Sequence, residues 1–499
     1  RQLTRLTDNI LSVAVAPDSK SYAFVAVGSA DGERVFSIYT IAEDGEQLTR
    51  LYQSAPPREG EGPPAGIPFA IGISSLQYSK DGRTLFFKEG DGIYSIPVSA
   101  PTPAAAPARP AERRRVNFVA RVEVDHRAER AQVFNESWRV MKHRFYDPKM
   151  HGVDWNRMKS VYEPLLENVA DQEEMHNVIS QMIGELNASH TGISAFQPSE
   201  IQTRYPGFEL EPDPSGYYKV AYIYRKGPAD QDYVKLSVGN FILAIDGHAL
   251  RTGENYFRYL AAPPGRKLEF TVNDKPSLEG AWTTRIEPVS ASAYATLQYQ
   301  KWVQECEEMV EKLSGGTIGY LHIRQMNEPA LRQFERDLAR LHNKKALIID
   351  QRFNPGGGID QELLAILGQR QYQYTRLRDS IVVTRPAQGF FGPMVVLQNE
   401  RSTSDAEVFP QGFKELKLGT VVGVPTYGAV IGTGSYRLMD GSTIRTPAVG
   451  LWTVTDINLE NYGVKPDVYM DNTPADFLAG RDAQLEKAIE ILQAQLEKK

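Results

Sequence analysis

The sequence predicts a multidomain α/β protein, and three observations predict it. Residues 1–99 hold short β-forming runs parted by Asp-containing turns. Residues 118–195 hold apolar positions at helical spacing. Residues 316–499 alternate apolar strand-like runs with amphipathic helices. Alternation of the last kind argues for helices layered on a largely parallel sheet. At about 100–200 residues per domain, 499 residues suggest roughly three domains. With 24% charged and 41% hydrophobic residues the composition is globular. The net charge of −6 excludes a chain-wide basic footprint for nucleic acid. No apolar run approaches the roughly 18 residues of a membrane span. Cys306 is the single cysteine, which rules out an intrachain disulfide and Cys-based zinc sites. No metal and no cofactor is expected.

In chain order, 21–26, 35–41 and 83–88 are strand-like. Pro17-Asp18, Asp31-Gly32, Asp44-Gly45, Asp81-Gly82 and Asp91-Gly92 mark the turns. Residues 11–41 and 74–98 share one grammar of strand, Asp turn, strand, turn and a strand containing Ile-Tyr. Such repetition is the mark of β-propeller blades, here too few to close a ring; a small β-sandwich is the alternative. Residues 100–117 form a Pro/Ala-rich linker. In 118–195, Ala131, Phe134, Trp138, Met141 and Phe145 draw one helical stripe. Asp171 and Glu174 open a second helix with a capping-box variant. Met175, Val178, Ile179, Met182, Ile183 and Leu186 continue it. Residues 196–285 return to short strands at 207–210, 218–223, 241–246 and 268–272. In 286–499, strands are expected at 317–324, 346–350, 394–398 and 420–424. Helices are expected at 328–343, 360–369, about 404–416, and around Leu485, Ile489, Leu492 and Leu496.

Four segments could carry chemistry. In Asp350-Gln-Arg-Phe-Asn-Pro-Gly-Gly-Gly358 a buried strand runs into three glycines and a helix. Bare backbone N–H groups there suit an anion, either a phosphate or the oxyanion of acyl transfer; a tight turn is the plain alternative. The dinucleotide and Walker A patterns both fail. In Asn399-Glu-Arg-Ser-Thr-Ser404-Asp405-Ala-Glu, a serine at a strand-to-helix corner suits a nucleophile, or simply an N-cap. His190, with Ser189, follows a strongly patterned helix and is either a site residue or a solvated cap. Glu460, in Glu460-Asn-Tyr-Gly-Val-Lys-Pro-Asp467, could orient a base or lie on the surface.

Together these segments resemble the tricorn-type serine peptidases. Asn135-Glu-Ser-Trp-Arg, His143-Arg-Phe-Tyr-Asp, Met150-His-Gly-Val-Asp-Trp155 and Gly184-Glu-Leu-Asn-Ala-Ser-His-Thr-Gly192 look like the helical segment of that family. The motifs at 350–358, 399–409, 422–432 and 460–467 follow in the family's order. The resemblance implies propeller blades at 1–99, a helical part of the peptidase core at 118–195, and a PDZ-like domain at 196–285. It implies a crotonase-like α/β serine peptidase core at 286–499. It makes Ser404 the nucleophile and His190 its base, with Ser189 and Glu460 completing a tetrad. The oxyanion hole falls to the N–H of Asp405 and of either Gly356 or Gly357. The wider family includes carboxyl-terminal-processing peptidases, whose Ser/Lys dyad needs a lysine where this chain has Ala429. That absence points to His190, with Lys465 as the rival base.

The expected activity is hydrolysis of peptides or oligopeptides through an acyl-enzyme. The alternatives are an inactive peptide-binding scaffold, or another serine acyl hydrolase. The Gly-x-Ser-x-Gly elbow is missing around Ser404, which counts against the latter. Asp379 and Arg376, in the segment 373–381, are candidates for the substrate pocket, with opposite charge preferences. The family's assemblies imply a homo-oligomer, a hexamer being one form. A cytoplasmic location is expected. Export is the alternative, because the chain starts at Arg1 without Met or signal-peptide pattern.

Overall fold

The computed structural model describes residues 2–6, 8–30, 33–54, 72–90, 92–98, 113–195, 203–376, 378 and 382–498. The chain divides into two units, Arg1–Asp125 and His126–Lys499. The first unit holds two antiparallel sheets. One has the order β1 (Asn9–Val15), β2 (Ser21–Ala30), β3 (Glu33–Ala42), β4 (Thr49–Gln53). The other has β5 (Ile73–Tyr78), β6 (Thr84–Glu89), β7 (Gly92–Pro97), β8 (Arg114–Arg115). The period of two in a strand is visible in β2. Ala23 and Val25 pack with Ile38, Leu85, Phe87 and Ile96, while Phe24 and Ala26 join Ile41 in a separate cluster. The repeated Asp turns have one mechanism. Asp18, Asp44 and Asp81 each accept from the backbone N–H two residues on, at 3.0, 2.8 and 3.1 Å. The turn residues Asp31, Gly32 and Asp91, and linker residues 100–112, lie outside the described residues.

The second unit opens with α1 (His126–Arg144), α2 (Trp155–Tyr162) and α3 (Gln172–Gly184), followed by the short strand β9 (Ile193–Ser194). The stripe expected on α1 is turned slightly. Val133, Phe134, Ser137 and Met141 are buried, whereas Ala131 is exposed. Ser137 tolerates burial because its hydroxyl donates to Val133 O at 2.8 Å. The α3 start is as read: Asp171 accepts from Glu174 N at 2.9 Å and Glu174 accepts from Ala170 N at 2.7 Å.

A separate antiparallel sheet follows: β10 (Phe208–Pro212), β11 (Tyr218–Ile223), β12 (Phe241–Ile245), β13 (His248–Ala249), β14 (Leu268–Asn273) and β15 (Trp282–Ile286). It closes on its own core of Val220, Ile242, Leu268, Phe270 and Ile286. Next comes α4 (Ala291–Ser314), a helix the sequence reading did not anticipate.

The remaining elements are β16 (Ile318–His322), α5 (Glu328–Arg340), β17 (Ala346–Asp350), α6 (Asp360–Leu367), the hairpin β18 (Gln373–Arg376) and β19 (Val382–Arg385), β20 (Met394–Gln398), α7 (Asp405–Glu415), β21 (Thr420–Gly423), the hairpin β22 (Ile431–Arg437) and β23 (Thr443–Gly450), β24 (Val468–Tyr469), α8 (Pro474–Leu478) and α9 (Ala483–Glu497). Strands β16-β17-β20-β21-β24 form an all-parallel sheet. Both faces are covered, which explains the unbroken apolar runs of ALIID and MVVLQ. Leu347, Ile349 and Val396 face Phe334, Leu363 and Phe409 from α5, α6 and α7. Ile348, Val395 and Leu397 face Val310 of α4 and Leu485 and Leu492 of α9. The hairpin β22–β23 pairs with β9, and Ile444 packs among the side chains of α1 and α3. The loop after α3 is thereby tied to the sheet domain. Among the described residues no helix is long and apolar enough to cross a membrane.

Candidate active site

Two parallel strands end side by side and feed two loops. β17 leads into 351–358 and β20 into 399–404. The loops are stitched together: Phe353 N donates to Asn399 Oδ1 (3.0 Å), Ser402 Oγ to Gln351 O (3.2 Å) and Thr403 N to Asn354 O (3.0 Å). Beneath them lies Arg352, buried and unforeseen from sequence. Its guanidinium donates to Asp350 Oδ2 at 2.6 Å and Asp482 Oδ1 at 2.9 Å, two carboxylates that offset its desolvation.

Ser404 precedes α7 with φ 58° and ψ −123°. A side chain with a Cβ is rarely held at positive φ, and such strain gathers at functional sites. The strain is over-determined here. Ser404 O accepts from Glu407 N at 2.7 Å and Val408 N at 3.2 Å, and Ser404 N donates to Glu407 Oε1 at 3.1 Å. Gly356, φ 91°, sits so close that a Cβ on it would lie 2.6 Å from Ser404 Cβ. A Cβ on Gly357, φ 151°, would lie 1.8 Å from Met326 O. Only glycine fits at either position. The Gly356 N–H is taken by Asn354 Oδ1 at 2.9 Å. The N–H groups of Gly357 and Asp405 have no hydrogen-bond partner among the described residues. The Asp405 side chain turns away to cap α6, accepting from Ile359 N at 2.7 Å and Asp360 N at 3.2 Å. Burial, then its hydrogen bond with Asp360, pushes the Asp405 carboxyl up to about 7.

The sequence reading missed Glu407. This buried carboxylate accepts from four donors: Ser404 N, Thr426 Oγ1 (2.5 Å), Gly428 N (2.6 Å) and Ala429 N (2.8 Å). Burial pushes its pKa up and the four hydrogen bonds oppose that. Glu460, also buried, meets the same 426–430 loop from the other side. It accepts from Val430 N (2.8 Å), Ser189 N (2.6 Å) and Ser189 Oγ (3.0 Å). The loop containing Ala429 thus joins the Ser404 corner to the Ser189–His190 corner through two carboxylates.

His190, φ 56°, is half-buried. Its Nε2 is buried with no hydrogen-bond partner among the described residues, and Arg445 Nη2 lies 3.2 Å from its Nδ1. Burial lowers the His190 pKa first; the Arg445 charge lowers it further, while Glu460 and the Ala429 backbone nearby raise it. Among the described residues no hydrogen bond joins His190 to Ser404 or to Ser189. Arg376 is exposed on β18 with its guanidinium over the Tyr374 ring, and among the described residues no hydrogen bond or ion pair joins it to the Ser404 corner. Asp379 lies outside the described residues. Lys414 Nζ is engaged by Lys465 O at 2.7 Å and Asp467 at 3.3 Å, while the Lys465 side chain is exposed. Among the described residues no group of three or more His, Cys, Asp or Glu is placed to hold a metal ion.

The glycine turn and the strained serine at the mouth of the parallel sheet both lie within residues 317–470, which match the model of peptidase family S41. Residues 126–184 match the tricorn protease C1 domain. Among curated proteins, tricorn protease homolog 1 of Streptomyces coelicolor is 32% identical over 389 residues, 76% of this chain and 36% of the relative. The tricorn protease of Thermoplasma acidophilum is 28% identical over 439 residues, 84% of this chain and 39% of the relative. A crystal structure of the tricorn protease matches with TM-score 0.81 at 24% identity, covering 96% of this chain and 46% of that one. Residues 317–470 thus match peptidase family S41, and the chain is similar to the tricorn proteases along most of its own length. It spans less than half the length of the curated relatives above.

Proposed function

We propose that this chain is a serine peptidase acting on peptides through an acyl-enzyme. The observation that carries the reading is the Ser404 corner: a strained serine with two unbonded backbone N–H groups beside it, inside a family S41 domain. Ser404 Oγ attacks the scissile carbonyl. The Gly357 and Asp405 N–H groups receive the oxyanion, Gly357 rather than Gly356 because Asn354 occupies the latter's N–H. His190 takes the serine proton and returns it to the leaving amine, and Ser189 with Glu460 orients it.

Endopeptidase or oligopeptidase action on short peptides is part of the same proposal. So are a PDZ-like, peptide-positioning role for β10–β15, a propeller-blade origin for the two sheets of the first unit, and homo-oligomeric assembly. A fluorophosphonate probe tests the reading. Covalent labelling of Ser404 supports it, whereas an inert chain that still binds peptides would mean the scaffold alternative.

A further inference from the structure

We propose that Arg445 is a carboxylate receptor in this site, and that it holds His190 idle until an anionic group of the peptide draws the guanidinium away. The proposal rests on the serine peptidase reading above.

Arg445 is placed by backbone pairing. Its N–H donates to Gly192 O at 2.8 Å, and the neighbouring Ile444 pairs with Ile193, so β23 runs directly beside the loop that carries His190. Thr433 of β22 also donates to His190 O at 3.3 Å. A guanidinium has donors only, so His190 Nδ1 accepts from Arg445. The single proton of the neutral imidazole then sits on Nε2, which is buried with no hydrogen-bond partner. In that state neither ring nitrogen is free to take the proton of Ser404. A working base needs the opposite order, one nitrogen bare and the other N–H held by an acceptor. Ser189 Oγ, already donating to Glu460, retains lone pairs for that N–H.

Arg445 itself is exposed and forms no ion pair with a carboxylate among the described residues, in contrast to Arg352 with its two. A peptide carboxylate offers it a charge-assisted, bidentate partner stronger than a ring nitrogen. Once Arg445 swings to that partner, Nδ1 gains a proton and Nε2 loses one, with solvent as carrier and the ring's charge unchanged. The charged groups facing the imidazole are Arg445 and Glu460. The ligand chemistry is a carboxylate near the scissile bond, either the peptide's C-terminus or an acidic side chain.

The test uses one peptide sequence in three forms: free acid, C-terminal amide, and amide with Glu placed after the scissile bond. kcat/KM is measured for wild type, Arg445→Gln and Arg445→Lys, with the fluorophosphonate labelling rate of Ser404 alongside. Wild type should favour an anionic form by about tenfold or more, the scale of a charge-assisted hydrogen bond. Free-acid preference alone assigns the C-terminus, while equal preference for the Glu amide assigns the side chain. Arg445→Gln should lose the preference and label faster without peptide, and Arg445→Lys should keep part of it. No preference in wild type, or one that survives Arg445→Gln, overturns the proposal. If Ser404 then labels at equal rates in both, the peptidase reading stands without it. No labelling and no cleavage in any variant overturns both.

Discussion

The Ser404 corner and the His190 corner are both tied to the 426–430 loop but are fastened differently. At Ser404 a buried carboxylate, Glu407, accepts four hydrogen bonds and fixes the serine backbone and the 426–430 loop together. At His190 the ring keeps one buried nitrogen without a partner and shares the other with an exposed arginine. On the proposed reading, the nucleophile and its oxyanion donors are therefore set by the fold, whereas the base is left to be set by what arrives. A corner of the first kind should fail through loss of structure when changed, and one of the second kind through pH and substrate dependence.

The largest effect that would sharpen this contrast is expected from Gly357→Ala. Its Cβ would collide with Met326 O, so the loop must move and the proposed oxyanion donor with it. kcat should fall about 10²–10³-fold, together with a drop in Tm as the loop moves. An active Gly357→Ala enzyme would move the oxyanion role elsewhere.

Glu407→Gln comes next, and its signature is stability. An amide cannot accept from four donors, so the variant should lose about 2–4 kcal/mol in denaturant unfolding. An unchanged midpoint would break the claim that this corner is held by Glu407.

Glu460→Gln should lower kcat/KM by less than the about 10²–10⁴-fold that a positioned base contributes, because the amide oxygen can still accept from the Val430 or Ser189 N–H.

The smallest effect is a pH shift. The His190 pKa is lowered, so the imidazole stays neutral to lower pH and the acid limb of kcat/KM should fall below about 6.5. Arg445→Gln removes one depressing charge and should move that limb upward. By linkage, a depressed histidine binds fewer protons folded than unfolded, so its contribution to stability should weaken on acidification through this range.

The same contrast governs what the sequence discloses. The parallel strands and the two loops at their ends are legible because a strand buried on both faces must be continuously apolar, and because glycines and a serine at its exit leave few local interpretations. Within those motifs, Glu407 reads as one more helical acid. Only the fold brings Thr426, Gly428 and Ala429 to it. Arg445 carries no motif at all, and its meaning comes from the register of β23 against β9. Between Gly356 and Gly357 the sequence offers no choice, since what separates them is the reach of the Asn354 amide. The helix α4 was missed although Trp302, Cys306, Met309 and Val310 recur at helical spacing; charged residues dilute that narrow stripe. Ala131 was misplaced because Ser137 is polar by type yet buried once bonded to its own helix.

The central claim is that Ser404 is the nucleophile and His190 its base. It is tested most directly by fluorophosphonate labelling read by mass spectrometry on wild type, Ser404→Ala, His190→Ala and Arg445→Gln. The account predicts a single adduct on the peptide containing Ser404, absent in Ser404→Ala and slowed to near background in His190→Ala. An adduct on another serine, or labelling of His190→Ala as fast as that of Arg445→Gln, in which the ring is released, would contradict it.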